Sequence, residues 1–380
     1  MSAIDVIAAG HMCLDIFPET TSLPLAALAT PGRLFETGPL TISTGGSVSN
    51  TGLALHQLGV KVRLMSGVGD DFIGRAIIDV VERYGVGLSE FVTRRVGQPS
   101  SYTIVLSPQK VDRIFLHCTG TNATLGADDL DYTVLERVRM FHLGYPALLP
   151  HMIDNGGREL ETTFRRASMT GVVTSMDMAL PDPNAFSGQV DWRAIFRRVL
   201  PYVDIFIPSI EEILFCLRRA EYDAWRGTLR EHLNGDLLSA LADELLAMGS
   251  PVVGFKLGEL GMYLKTAASL PEQRFKSVMI DRAAWSAVEL WQPAFQVEVV
   301  GTTGAGDSAF AGFLAALLHA VDPEAALQMA CAVGACNVEA PDATSGIRSW
   351  DATRERLAGG WPLRPERIPG LLIGKQRKNS

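Results

Sequence analysis

Short apolar, β-rich runs recur along the chain at residues 4–9, 62–68, 139–143, 171–176, 203–207 and 251–257. Each is bounded by polar or turn-forming residues and nearly continuous in hydrophobicity, the pattern of strands buried on both faces. Amphipathic or wholly apolar helical patterns lie between and beyond them, after Asp70, across residues 231–246 and from Ala305 onward. Strand, helix, strand at this spacing predicts an α/β protein: three α/β/α layers around a mostly parallel sheet. Two stretches break the pattern. A Pro/Thr/Gly-rich segment separates the first strand from a helix starting near Ser47, and residues 101–106 and 113–117 alternate in polarity. Alternation marks half-exposed strands, so a small second sheet is expected to project from the core.

With 380 residues, 47% of them hydrophobic, the chain has ample material for a large core. Its net charge of −8 and the lack of a Lys/Arg block argue against a nucleic-acid partner or a polybasic membrane surface. The longest apolar stretches fall well short of the roughly 20 residues of a membrane span. No basic leader precedes the first strand, so the expected location is cytoplasmic. Cys13, Cys118, Cys216, Cys331 and Cys336 show no Cys-x-x-Cys pair and no metal-ligand spacing, which predicts reduced thiols. The Pro-, Gly- and Arg/Lys-rich end of the chain, residues 361–380, is expected to be a loosely held tail.

The most informative segment is Gly301-Thr302-Thr303-Gly304-Ala305-Gly306-Asp307, a glycine-rich turn that runs into an Ala/Leu-rich helix. The first amides of a helix lack intrahelical partners and carry the positive end of its dipole, so such a turn suits an anion. Asp307 is open to two readings: a first-turn carboxylate that complements the dipole, or a general base beside a phosphate. A second pair of glycines, Gly45-Gly46, precedes another helix that carries Asn50 in its first turn, an amide suited to a polyol's hydroxyls. Asp15 follows the first strand, at the edge where open α/β sheets bind ligands. Residues 252–263 read as strand, glycine-bracketed turn and strand. No P-loop and no intact Gly-x-Gly-x-x-Gly after the first strand is present, which removes the usual nucleotide fingerprints.

Together, Gly45-Gly46 with Asn50, the run Lys256-Leu257-Gly258-Glu259-Leu260-Gly261 and the run Thr302-Thr303-Gly304-Ala305-Gly306-Asp307 resemble the PfkB, or ribokinase-like, carbohydrate kinase family, in that family's order and over roughly residues 1–350. The resemblance implies a kinase domain spanning 1–360, with a β-sheet lid from segments near 11–44 and 91–120. It implies Asp307 as base, with Gly304, Ala305 and Gly306 as the anion hole. Asp15, Gly45, Gly46 and Asn50 match positions that hold substrate hydroxyls. Ser209, Lys256, Gly258, Gly261 and Thr303 fall on the nucleotide side, and residues 331–335 on an adenine-pocket wall. Glu212 becomes the magnesium-side residue, although Ser209 and Glu212 also have the spacing of a helix capping box. Tyr102, Arg113 and His117 fall in the lid.

The implied activity is transfer of the γ-phosphate of ATP, with Mg2+, to a hydroxyl of a small sugar. A nucleoside kinase of the same family and a non-catalytic sugar or nucleotide sensor are the alternatives. Two copies are expected to be able to pair through the edge of the lid sheet. Gly301 stands where many relatives carry an Asp linked to a monovalent-cation site, so little activation by potassium is expected.

Overall fold

The computed structural model describes residues 4–109 and 113–375. Ten of its strands form one sheet: β1 (Val6–Gly10), β4 (Val62–Gly69), β5 (Phe91–Arg95), β8 (Met140–Gly144), β9 (Val173–Met176), β10 (Ile205–Phe206), β11 (Val252–Lys256), β12 (Met262–Thr266), β13 (Glu289–Gln292) and β14 (Gly374–Lys375). Their order is β14-β13-β12-β11-β10-β9-β8-β1-β4-β5. Pairing is parallel from β11 to β5 and antiparallel from β11 to β14.

Strand β1 shows why this sheet needs helices on both faces. Val6 and Ala8 join one buried cluster while Ile7 and Ala9 join another, because successive side chains point to opposite faces. The first face is covered by the Ser47–Gln57, Ala305–Leu318 and Pro323–Asn337 helices, the second by Pro150–Met169, Trp192–Val199, Ile210–Leu217 and Gly235–Ala247. The Ala305–Leu318 helix is buried from Asp307 to Leu317. It lies close against its neighbour because Gly312 meets Val333 where a Cβ would stand only 2.9 Å from it.

The second sheet orders β3 (Thr41–Gly45), β2 (Cys13–Phe17), β6 (Tyr102–Leu106) and β7 (Ile114–Cys118). β3 runs into the Ser47–Gln57 helix within two residues, so lid and core share a junction at Gly45 and Gly46.

Two expectations need correction. β5 lies within the stretch expected to form the lid, yet it pairs in parallel with β4 at the edge of the main sheet, Met65 opposite Phe91. Local alternation does not reveal which sheet a strand joins. The terminal segment is also not loose over its described part. Ile368 and Leu371 are buried, Trp361 stacks on Phe295 with ring centroids 4.7 Å apart, and β14 pairs with β13. A few apolar anchors outweigh the polar composition around them.

Candidate active site

Asp307 lies in the first turn of the Ala305–Leu318 helix, 2% exposed. Its Oδ2 accepts from the Tyr145 hydroxyl at 2.7 Å and from Asn50 Nδ2 at 2.9 Å, and Thr51 Oγ1 approaches Oδ1 at 3.5 Å. Gly304 caps the helix in the left-handed region, φ 72°, without a side-chain hydrogen bond, so the turn keeps its backbone face open. The Ala305 amide is partly engaged, donating to Thr302 O at 3.3 Å.

Lys256, at the end of β11, reaches this turn. A Cβ on Gly306 would sit 3.4 Å from Lys256 Nζ. The ammonium donates to Asp177 Oδ1 at 2.5 Å. Burial pulls Lys256 down, but Asp177, Glu212 and Asp307 together outweigh it and hold it above the ordinary lysine range. The carboxylates are raised: Asp177 to about 6 and Glu212 to about 7, each by burial first and then by a neighbouring carboxylate, against the pull of Lys256. Asp307 is raised by burial against Lys256 and its three hydrogen-bond donors. One ammonium cannot neutralise three buried carboxylates, so even Asp177, bonded to the lysine, stays above its usual range.

Two cavities meet here. One, of about 320 Å³, is walled by apolar groups including Phe295, Val297, Ala309, Cys331, Ala335 and Val338. The other, of about 460 Å³, is lined by Tyr145, Ser209, Glu212, Gly304 and Asp307. Lys256, Gly258, Glu259, Thr302, Ala305 and Gly306 border both. Of residues 331–335, Cys331, Gly334 and Ala335 line the first of these cavities. Gly258 and Gly261 bracket the β11–β12 turn at φ 59° and 87°, and a Cβ on Gly261 would stand 2.0 Å from Gln292 O.

Several sequence-derived assignments shift. Asn50, read from sequence as an amide for a substrate's hydroxyls, spends its Nδ2 on the Asp307 carboxylate. Gly45 and Gly46 have the space beside them occupied by neighbouring groups. Their missing side chains admit neighbours, since a Cβ would meet Asp15 Oδ2 at 2.1 Å and His11 O at 2.4 Å respectively. Asp15 sits on β2 in the lid, where burial raises its carboxyl to about 6 despite hydrogen bonds from Cys13 and Thr103. Thr302 lines both cavities, whereas the Thr303 hydroxyl is taken by Arg113 of the lid. Ser209 and Glu212 do form the capping box, Ser209 N donating to Glu212 Oε2 at 2.7 Å, while both also line the charged cavity. His117 hydrogen-bonds Thr103 Oγ1 at 3.0 Å, and its ring lies 5.3 Å from that of His11. Tyr102, on β6, is half-buried.

Tyr145, Thr51 and Asp177 escaped the sequence reading. A signal existed for two of them: Tyr145 and Asp177 each directly follow the carboxyl end of a parallel strand, β8 and β9, where open α/β sheets bind ligands.

The sequence profile of the pfkB family carbohydrate kinases matches residues 3–350. The chain is 25% identical over 331 residues to a 2-dehydro-3-deoxygluconokinase of Bacillus subtilis, covering 86% of this chain and 89% of that protein. It is 24% identical over 331 residues to a 5-dehydro-2-deoxygluconokinase of Shouchella clausii, covering 86% and 87%. Among solved structures, Arabidopsis thaliana ribokinase complexed with ribose and ATP superposes with a TM-score of 0.70 at 17% identity, covering 93% of this chain and 99% of that one. The chain belongs to the pfkB family of carbohydrate kinases. Its class of reaction is phosphoryl transfer to the alcohol group of a sugar.

Proposed function

We propose that the protein transfers the γ-phosphoryl group of ATP to a hydroxyl of a keto-deoxy sugar acid, with Asp307 as the base. The observation that carries this reading is the Asp307 carboxylate, held by Tyr145 and Asn50 in the first turn of a buried helix and lining the charged cavity next to the rim it shares with the apolar one. The apolar cavity suits a purine. The shared rim of Lys256, Thr302, Ala305 and Gly306 suits phosphates. A sugar hydroxyl beside Asp307 gives up its proton as it attacks. The Gly304–Gly306 turn and Lys256 then balance charge on the transferring group. The substrate class follows from the relatives named for 2-dehydro-3-deoxygluconate and 5-dehydro-2-deoxygluconate.

Among the described residues no cluster of three His, Cys, Asp or Glu can hold a metal ion by itself. The carboxylate of Glu212, which lines the charged cavity, nonetheless fits a hard cation that enters with the nucleotide's phosphates. Magnesium would neutralise phosphate charge there, and Glu212 would hold it through water. Exposed Ile42, Phe115 and Leu116 on the lid fit pairing of two copies, which size-exclusion chromatography tests. Among the described residues no helix is long and apolar enough to cross a membrane.

The deciding experiment is ADP release over a panel of sugar acids, neutral sugars and nucleosides with magnesium-ATP. Turnover confined to nucleosides points instead to a nucleoside kinase. Binding of a panel member with no turnover of any points to a sensor.

A further inference from the structure

The family profile ends at residue 350, yet the segment beyond it forms part of the apolar cavity's rim. Residues 361–364 lie along the strand-like stretch that supplies Ala294 and Phe295 to the cavity wall. Arg364 N donates to Ala294 O at 2.8 Å, Gln296 N to Pro362 O at 2.8 Å, and Phe295 bridges Leu363. Trp361 fixes the register by donating from Nε1 to Gln296 O at 2.9 Å. The Arg356 guanidinium lies 3.5 Å from the Trp361 ring centroid, itself tied to Glu339 by a bidentate pair at 2.6 and 2.7 Å. Farther along, Ile368 and Leu371 are buried and Pro369 O accepts from Gly235 N at 2.8 Å. The segment is anchored at both ends.

Arg364 borders the apolar cavity and is not among the residues lining the charged one that contains Asp307 and Glu212. Its charge is already balanced. Glu259 and Glu366 accept from Nη2 at 2.8 Å each, and Glu366 also accepts from Nε at 3.3 Å. Arg230, on the Leu229–His232 helix, pairs with the same two carboxylates. A guanidinium so neutralised offers little net charge to a triphosphate, but its flat face remains an apolar, polarisable surface for a base.

We propose that Arg364 is a nucleotide-binding residue contributed by the C-terminal segment, and that it positions the base and ribose half of ATP, not its phosphates. The inference rests on the kinase reading above. Its test is calorimetric titration of wild type, Arg364→Ala and Arg364→Lys with ATP and with adenosine as a phosphate-free probe, alongside steady-state kinetics. Arg364→Ala is expected to weaken ATP and adenosine alike, by about tenfold, while kcat and the sugar's KM stay within about twofold. Arg364→Lys keeps the charge, loses the flat face and should stay weakened. Unchanged affinity for both ligands overturns the proposal. So does a loss confined to ATP, which would place the guanidinium at the phosphates. Wild type that binds neither ligand overturns the nucleotide assignment of the cavity itself, a failure visible before any variant is made.

Discussion

The two cavities share six residues and differ in almost everything else. One is walled by Phe295, Val297, Ala309 and Val338, and its selectivity must come from shape and apolar contact. The other is lined by Glu212, Asp307 and Lys256, with the buried Asp177 bonded to that lysine behind it, a cluster costly to bury and only partly neutralised. On the proposed assignment of the cavities, the difference separates nucleotide binding from chemistry in space. Damage to the apolar side should appear in nucleotide affinity, and damage to the charged side in turnover or folding.

The sharpest way to break this division is Asp307→Asn, which should cut turnover by roughly two to four orders of magnitude with ATP and sugar affinities little changed. Near-normal turnover in a folded variant would show that Asp307 only complements the helix dipole. Lys256→Met should come next. It strands three buried carboxylates without their cation and should cost about 3–5 kcal/mol of stability, read by denaturant titration. A smaller effect is expected across the boundary: Ala335→Leu narrows the apolar cavity and should raise the KM for ATP several-fold, roughly 1 kcal/mol, with kcat preserved. A fall in kcat with the KM for ATP unchanged would erase the distinction between the cavities.

The charged side also makes a prediction about pH. Asp177 and Glu212 have folded values raised to about 6 and about 7, so the folded state keeps protons that the unfolded chain releases near pH 4. Their contribution to stability is therefore fully present below the unfolded values and is lost as pH rises through the folded ones. Asp71 and Glu82, with lowered values, act in the opposite direction, so the effect is read as a difference. Thermal melts from pH 4.5 to 8 should show wild type losing stability relative to Glu212→Gln as pH rises, and parallel curves would refute the assignment. The smallest effect is expected from potassium. Replacing choline by potassium at equal ionic strength should leave the rate unchanged, because Gly301 offers no carboxylate. Nor could one be added freely: a Cβ at residue 301 would lie 2.8 Å from both Ala340 O and Pro341 O.

The parallel strands were legible because a strand buried on both faces leaves a nearly continuous apolar run, as residues 62–68 and 251–257 show despite Arg63, Ser66 and Lys256. The glycine turn before Asp307 was legible for a similar reason, since its conformation is a local demand that only certain residues meet. What sequence could not carry was partnership. Nothing near Asn50 announces a carboxylate 257 positions away, and nothing near Gly45 announces that Asp15 would fill the space beside it. The terminal segment misled through its average composition, when four residues, Trp361, Leu363, Ile368 and Leu371, decide where it lies.

The hydrogen bond from Asn50 to Asp307 also sets a timetable. β1 lies inside the sheet between β4 and β8, so the N-terminal strands can pair while the rest of the chain is still being made. Translation at about 5–20 residues per second then leaves roughly 13 to 50 seconds between the two ends of that bond. During that interval the Ser47–Gln57 helix lacks the Ala305–Leu318 helix that later packs against it, and its Asn50 and Thr51 lack the Asp307 carboxylate they later meet. A nascent chain of this protein therefore presents to the cell a half-built core whose closing piece arrives late, a natural client for chaperones that shield apolar surface.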